Sequence, residues 1–131
     1  MPTASILIVD DEENIRDALR RELEVYDYEL HFAASSERAL AMLEQITIDI
    51  VISDNVMPGS MVGVQFLRAV RHLHPHVIRI MLTGQGSLKT AVDAINKGEV
   101  FRFLEKPWDE NQLHSVIQSA CERIQRPPAA R

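Results

Sequence analysis

Short apolar runs rich in Ile and Val, each followed by a stretch of helical periodicity, recur five times along this chain and leave it few folds to adopt. The runs fall at about residues 5–9, 29–33, 48–53, 77–82 and 100–104, and β-branched content of this kind favours strands. Between and after them, apolar residues repeat at helical spacing: Ile15, Ala18, Leu19 and Leu23; Ala39, Leu40 and Leu43; Phe66, Leu67 and Val70; Leu88, Ala91, Val92 and Ile95; Leu113, Val116, Ile117, Ala120 and Ile124. Each set builds one apolar helix face. Ser35 or Ser36, Ser87 and Asp109 are placed to cap helix starts, Lys97-Gly98 marks a helix end, and Pro75 separates the third helix from the fourth strand. Strict β-α alternation predicts an α/β fold: one doubly wound, five-stranded parallel sheet with five helices on its two faces.

The residues that close these runs carry the chemistry. Asp10-Asp11 follow the first, Asp54 the third, Thr83 the fourth and Lys106-Pro107 the fifth. Open α/β sheets bind ligands at the carboxyl ends of their strands. A site shared by the first and third strands requires them to be neighbours, as in the order 2-1-3-4-5 of the flavodoxin-like winding. Three carboxylates, a hydroxyl and an ammonium at one edge are the parts needed to hold a divalent cation and a phosphoryl group.

Composition narrows the function classes. With 131 residues, 46% of them hydrophobic, the chain supports one compact core. Cys121 is the sole cysteine, so no internal disulfide forms, which fits a reducing, cytoplasmic setting. A net charge of −5 without a Lys/Arg cluster argues against nucleic-acid contact by this domain. No apolar run approaches the ~18 residues of a membrane span. Arg126-Pro127-Pro128-Ala129-Ala130-Arg131 cannot continue a helix. It reads as the start of a linker, leaving residues 1–125 as the domain and an output domain expected beyond it.

The Asp pair, Asp54, Thr83-Gly84 and Lys106-Pro107 agree in kind, order and spacing with the response-regulator (CheY-like) receiver family of two-component signalling, and the chain resembles that family from Ile6 to about Ile124. The stretch Asn96-Lys97-Gly98-Glu99-Val100-Phe101-Arg102-Phe103-Leu104-Glu105-Lys106-Pro107-Trp108 is similar to receivers joined to HD-GYP phosphodiesterase domains and to some hybrid kinases. The resemblance implies that Asp54 accepts a phosphoryl group from a sensor histidine kinase or a phosphotransfer protein. It implies Mg²⁺ held by Asp11, Asp10, Asp54 and the backbone carbonyl of Val56, with Asp10 acting mostly through water. Lys106 would pair with Asp54 and then with the phosphoryl group, Thr83 would donate its hydroxyl to it, and the Gly84 amide would approach it. The family's Lys-Pro bond is cis, here before Pro107. Thr83 and Phe103 would be the switch, altering a face of the fourth helix, fifth strand and fifth helix that pairs two copies or controls an output domain. The domain would then be a signalling module that catalyses only its own phosphorylation and dephosphorylation.

The chain departs from the family at Met57-Pro58-Gly59-Ser60-Met61-Val62-Gly63, one residue longer than usual and lacking an acid. That keeps open a receiver-shaped interaction module that is never phosphorylated. An aspartyl-phosphate phosphatase of the haloacid-dehalogenase type also uses Asp, Mg²⁺, Thr and Lys, but needs a second Asp two residues after its strand-one nucleophile, where this chain has Glu12. A flavin carrier shares the fold, yet no Ser/Thr-Gly phosphate loop follows the first strand. His72, His74 and His76 surround Pro75 without a neighbouring Cys or acid cluster and read as a solvated loop. Cys121 reads as inert core, and Trp108 as either a cover for the fifth helix or a partner contact.

Where the family often has Tyr, Phe103 lacks the hydroxyl that would anchor an outward rotamer, which predicts a shallower two-state bias. Phe103→Tyr is therefore expected to change the response to phosphorylation. Amide chemical-shift changes that are identical in both proteins would contradict it.

Overall fold

The computed structural model describes residues 2–55, 63–84 and 88–124. Val56, the 57–62 stretch, Ser87 and residues 126–131 lie outside these, so the expected metal-binding carbonyl, the lengthened loop, one cap and the linker fall there too. The elements run β1 (Ala4–Val9), α1 (Glu13–Leu23), β2 (Tyr28–Ala33), α2 (Ser36–Gln45), β3 (Ile50–Asp54), α3 (Gly63–Leu73), β4 (Ile78–Thr83), α4 (Leu88–Asn96), β5 (Arg102–Glu105) and α5 (Glu110–Glu122). All strand pairs are parallel and the order is β2-β1-β3-β4-β5. The architecture is the doubly wound one expected from the alternation, with α1 and α5 on one face and α2, α3 and α4 on the other.

The two-residue pleat sorts the core. Ile6, Ile8, Ile50, Ile52, Ile80, Leu82 and Leu104 pack on Leu19 and Leu23 of α1 and Leu113 and Ile117 of α5. The alternate residues Leu7, Val9, Val51 and Met81 pack on Leu43 of α2, Phe66, Leu67 and Val70 of α3, and Ala91 and Ala94 of α4. Both faces of the inner strands are therefore apolar, which is why they read as unbroken hydrophobic runs.

Local chemistry sets the boundaries. Ser35, not Ser36, caps α2, accepting from the Arg38 amide at 3.2 Å, and Asp109 caps α5, accepting from the Asn111 amide at 3.1 Å. At the end of α4 the Gly98 amide donates to Ile95 O at 3.0 Å and the Glu99 amide to Ala94 O at 2.8 Å. This is a Schellman closure that needs the positive φ of 74° at Gly98. It also delays β5, which begins at Arg102 rather than near Val100, because the Val100 amide still turns back to Ala94 O.

At the N-terminal edge, buried Asp49 ties β1 to β3. Its Oδ2 accepts from the Ser5 amide at 2.9 Å, and its own amide donates to Ser5 O at 2.9 Å. Removing the carboxylate strands a buried amide, so Asp49→Ala is expected to cost about 1–3 kcal/mol. A denaturant midpoint equal to that of the parent protein would contradict this assignment.

Candidate functional site

Strand register brings the polar residues to one level. Ile6 lies opposite Ile50 and Val9 opposite Ser53, so Asp10 continues level with Asp54; Asp54 in turn pairs with Leu82 and Thr83 with Glu105. Three bonds extend the sheet past its strands: the Asp10 amide to Ala33 O at 3.1 Å, the Asn55 amide to Leu82 O at 2.8 Å, and the Lys106 amide to Thr83 O at 2.8 Å. The backbone beneath the site is thus held by the same ladder as the core.

Carboxylate oxygens of Asp10, Asp11 and Asp54 can all lie within 4.8 Å of one another. Asp10 is fully buried, Asp54 nearly so, and Asp11 is exposed. At an effective dielectric of about 20, two such charges repel by on the order of 3 kcal/mol. Lys106 is the cation that the fold supplies. Its Nζ lies 3.1 Å from Asp10 Oδ2 and 3.3 Å from Asp54 Oδ2, so one ammonium bridges two carboxylates. The sequence suggested pairing with Asp54 alone; the additional partner is Asp10, whose Oδ1 accepts from the Glu12 amide at 2.9 Å. Burial alone would depress the Lys106 pKa, but hydrogen bonding and charge attraction from Asp10, followed by attraction from Asp54, outweigh it and raise the value. Lys106 is therefore charged throughout the neutral range.

The donor set of this cluster is all oxygen, with one ligand open to water and a formal charge of −3 against one lysine. Such a set fits a hard divalent cation that keeps part of its water shell.

Thr83 and Phe103 occupy the opposite pleat from Asp54. Met81 faces Phe103 and Thr83 faces Glu105, which makes Thr83 and Phe103 diagonal neighbours on the α4 side. Thr83 is fully buried and its Oγ1 is 3.3 Å from Gly84 O, while Phe103 is half-buried. A Cβ placed on Gly84 would meet nothing within 4 Å, so glycine there has no steric cause within the described protein. The Lys106-Pro107 bond is cis.

Several contributors were not legible beforehand. A Cβ on Gly63 would collide with Asp54 O and lie 2.7 Å from Asn55 O, so only glycine lets α3 start against the residues that carry the carboxylate. Arg16 donates from Nη1 to Asp10 O at 2.7 Å, securing the Asp-Asp turn from α1. Trp108 packs half-buried on the α1/α5 core and its indole N–H donates to Glu22, joining the turn after Pro107 to α1. Cys121 packs half-buried beside Tyr28, whose phenol is pushed up to about 12 by burial and then by Cys121.

The raised Lys106 value fixes a sign. Its ion pairs add stability fully below the ordinary lysine value of 10.5 and lose it as pH rises through the higher folded value. An NMR titration of Lys106 Cε is expected to have its midpoint above 10.5 in the native protein and a lower one in Asp10→Asn. Equal midpoints would show that Asp10 is not its main partner.

Comparison with known proteins gives a consistent family. The profile of the response regulator receiver domain matches residues 6–118. The hydrogenase transcriptional regulatory protein HoxA of Cupriavidus necator is 31% identical over 119 residues, covering 91% of this chain and 24% of that protein. An NtrX-like response regulator of Rickettsia felis is 33% identical over 123 residues, covering 93% of this chain and 26% of that protein. The chain thus spans about a quarter of the length of these curated relatives. Among solved structures, the signal receiver domain of an HD domain-containing protein from Pseudomonas fluorescens Pf-5 superposes with a TM-score of 0.85 at 39% identity, covering 91% of this chain and 94% of that one. The receiver domain of NtrX from Brucella abortus gives 0.84 at 34% identity, over 89% and 98%.

Proposed function

The chain belongs to the response regulator receiver family, and from that premise we propose that Asp54 is the phosphoacceptor, taking its phosphoryl group from the phosphohistidine of a sensor kinase or phosphotransfer protein. The observation that carries this reading is the placement of Asp54. It is nearly buried at the end of β3, 3.3 Å from the Lys106 ammonium and beside Asp10 and Asp11. A carboxylate is a weak nucleophile, so transfer relies on orientation and charge neutralisation more than on basicity. Asp54 Oδ attacks phosphorus, the P–N bond to the donor imidazole breaks, and an acyl phosphate forms.

Asp10, Asp11 and Asp54 would hold Mg²⁺, together with the Val56 carbonyl that the family resemblance adds. When bound, Mg²⁺ neutralises charge on the phosphoryl oxygens. Lys106 is suited to exchanging partners: a compact ammonium already shared between two carboxylates can follow the new charge without rebuilding a planar fork. Thr83 would offer its hydroxyl, and Gly84 its amide, to the same group. Movement of Thr83 would free space beside its diagonal neighbour Phe103 and pass the change to the α4–β5–α5 face.

That face carries exposed apolar residues, Leu88 at 46% and Val92 at 42%, one turn apart on α4. They support a role in pairing two copies or meeting an attached output domain. The relatives point to two output classes, transcriptional regulation as in HoxA and an HD domain as in the Pseudomonas protein.

Intact-mass measurement after incubation with Mg²⁺ and acetyl phosphate is expected to show one added phosphoryl group, absent without Mg²⁺ and absent in Asp54→Ala. A phosphoryl group retained in Asp54→Ala would remove Asp54 from this role. No gain in the native protein would favour the interaction-module reading.

A further inference from the structure

The turn between α4 and β5 is gripped by arginines that belong to other elements. Arg68 and Arg71, one turn apart on α3, reach it together: Arg68 Nε donates to Glu99 Oε2 at 2.8 Å and Arg71 Nη1 to Lys97 O at 3.0 Å. Arg79 on β4 adds a bond from Nε to Glu99 O at 2.7 Å and steadies its own fork on Val77 O at 2.9 Å. The Glu99 side chain is only 6% exposed, so its carboxylate depends on the Arg68 guanidinium as its charge partner. The backbone closes the same turn. The Glu99 and Val100 amides bond back to Ala94 O, and the Phe101 amide donates to Arg79 O at 2.8 Å.

The first turn of α4 has no such hold among the described residues. Leu88, Lys89 and Thr90 are exposed, and the helix meets the sheet through two buried methyl groups, Ala91 and Ala94, with Ile95 half-buried beside them. By contrast, α3 buries Phe66, Leu67 and Val70. A methyl buries little apolar surface, so displacing α4 from the sheet forfeits little. We propose that Arg68, Arg71 and Arg79 make the α4–β5 turn a fixed pivot, about which α4 swings from its amino-terminal end. The trigger rests on the proposed phosphorylation of Asp54, whereas the pivot is a property of the unmodified chain. Thr83 closes β4 at the sheet edge from which α4 departs, and the clamped turn lies at the opposite edge, ahead of β5. A change at Thr83 therefore reaches the end of α4 that is free to move. Leu88 and Val92, both exposed, are carried furthest, while Lys97, Gly98 and Glu99 keep their place. A partner that binds α4 distinguishes the two states through its Leu88–Val92 half.

Amide hydrogen exchange on the full 131-residue chain, resolved by NMR, tests the pivot without phosphorylation. Helix ends ordinarily fray, which would protect Val92 and Asp93 better than Glu99 and Val100. The reverse order is expected, with the Lys97, Glu99 and Val100 amides exchanging about tenfold or more slowly than those of Val92 and Asp93. Arg68→Gln and Glu99→Gln are expected to speed exchange at 97–100 by about tenfold and to leave Val92 and Asp93 unchanged. Arg68 is 54% exposed and Glu99→Gln preserves side-chain shape, so both variants keep the fold. On adding Mg²⁺ and acetyl phosphate, amide shift changes are expected to be large from 88 to 92 and small from 96 to 99, and to spread along the whole helix in Arg68→Gln. Equal or faster exchange at 97–100 in the native protein, an unchanged profile in both variants, or shift changes as large at 96–99 as at 88–92 would each overturn the pivot. A chain that gains no phosphoryl mass yet shows the reversed exchange order would keep the pivot and lose only its trigger.

Discussion

One ammonium shared by two carboxylates organises the carboxyl edge of this sheet. Strand register sets Asp10 beside Asp54, and Lys106, reaching both from the end of β5, offsets part of their mutual repulsion. Buried ion pairs rarely add net stability, because desolvation of both charges offsets their attraction. The described cluster is, moreover, short of positive charge, with three carboxylates to one lysine. An arrangement that costs the fold and leaves negative charge uncompensated makes sense where a cation and a charged group come and go.

The backbone supports that arrangement from below and from the side. Amide-to-carbonyl bonds continue the ladder past β1, β3 and β5, and Gly63 lets α3 begin in contact with the Asp54 carbonyl. Arg16 holds the Asp10 carbonyl, while Trp108 ties the turn after the cis bond to Glu22 on α1. The backbone that carries Asp10 and Asp54, and the turn that follows Lys106, are therefore each held by a contact from another element as well as by their own strand.

Pleat parity then separates two tasks. Asp54 shares its face with Ile50 and Ile52, toward α1 and α5, whereas Thr83 and Phe103 share theirs with Met81, toward α4. In the proposed mechanism, charge arriving on one side of the sheet is sensed on the other through a hydroxyl at the strand end. No long relay is needed, since Thr83 and Phe103 are diagonal neighbours on adjacent strands.

Much of this was legible in the sequence, because apolar periodicity directly reports burial. Continuous Ile/Val runs meant strands covered on both faces, helical spacing meant five covering helices, and polar residues closing the runs located the site edge. The residues forming Asp10, Asp11, Asp54, Thr83 and Lys106 into one edge could be named from that pattern. Contacts between residues distant in sequence could not: Lys106 bridging to Asp10, Trp108 bonding to Glu22, Gly63 against the Asp54 carbonyl, and Glu44 beside His74. The sequence alone determined the alternation of elements and the chemistry at each strand end, since both depend on local pattern. Only the tertiary structure decided which charges meet and at what distance, because that depends on strand order, register and the direction in which each side chain leaves its backbone.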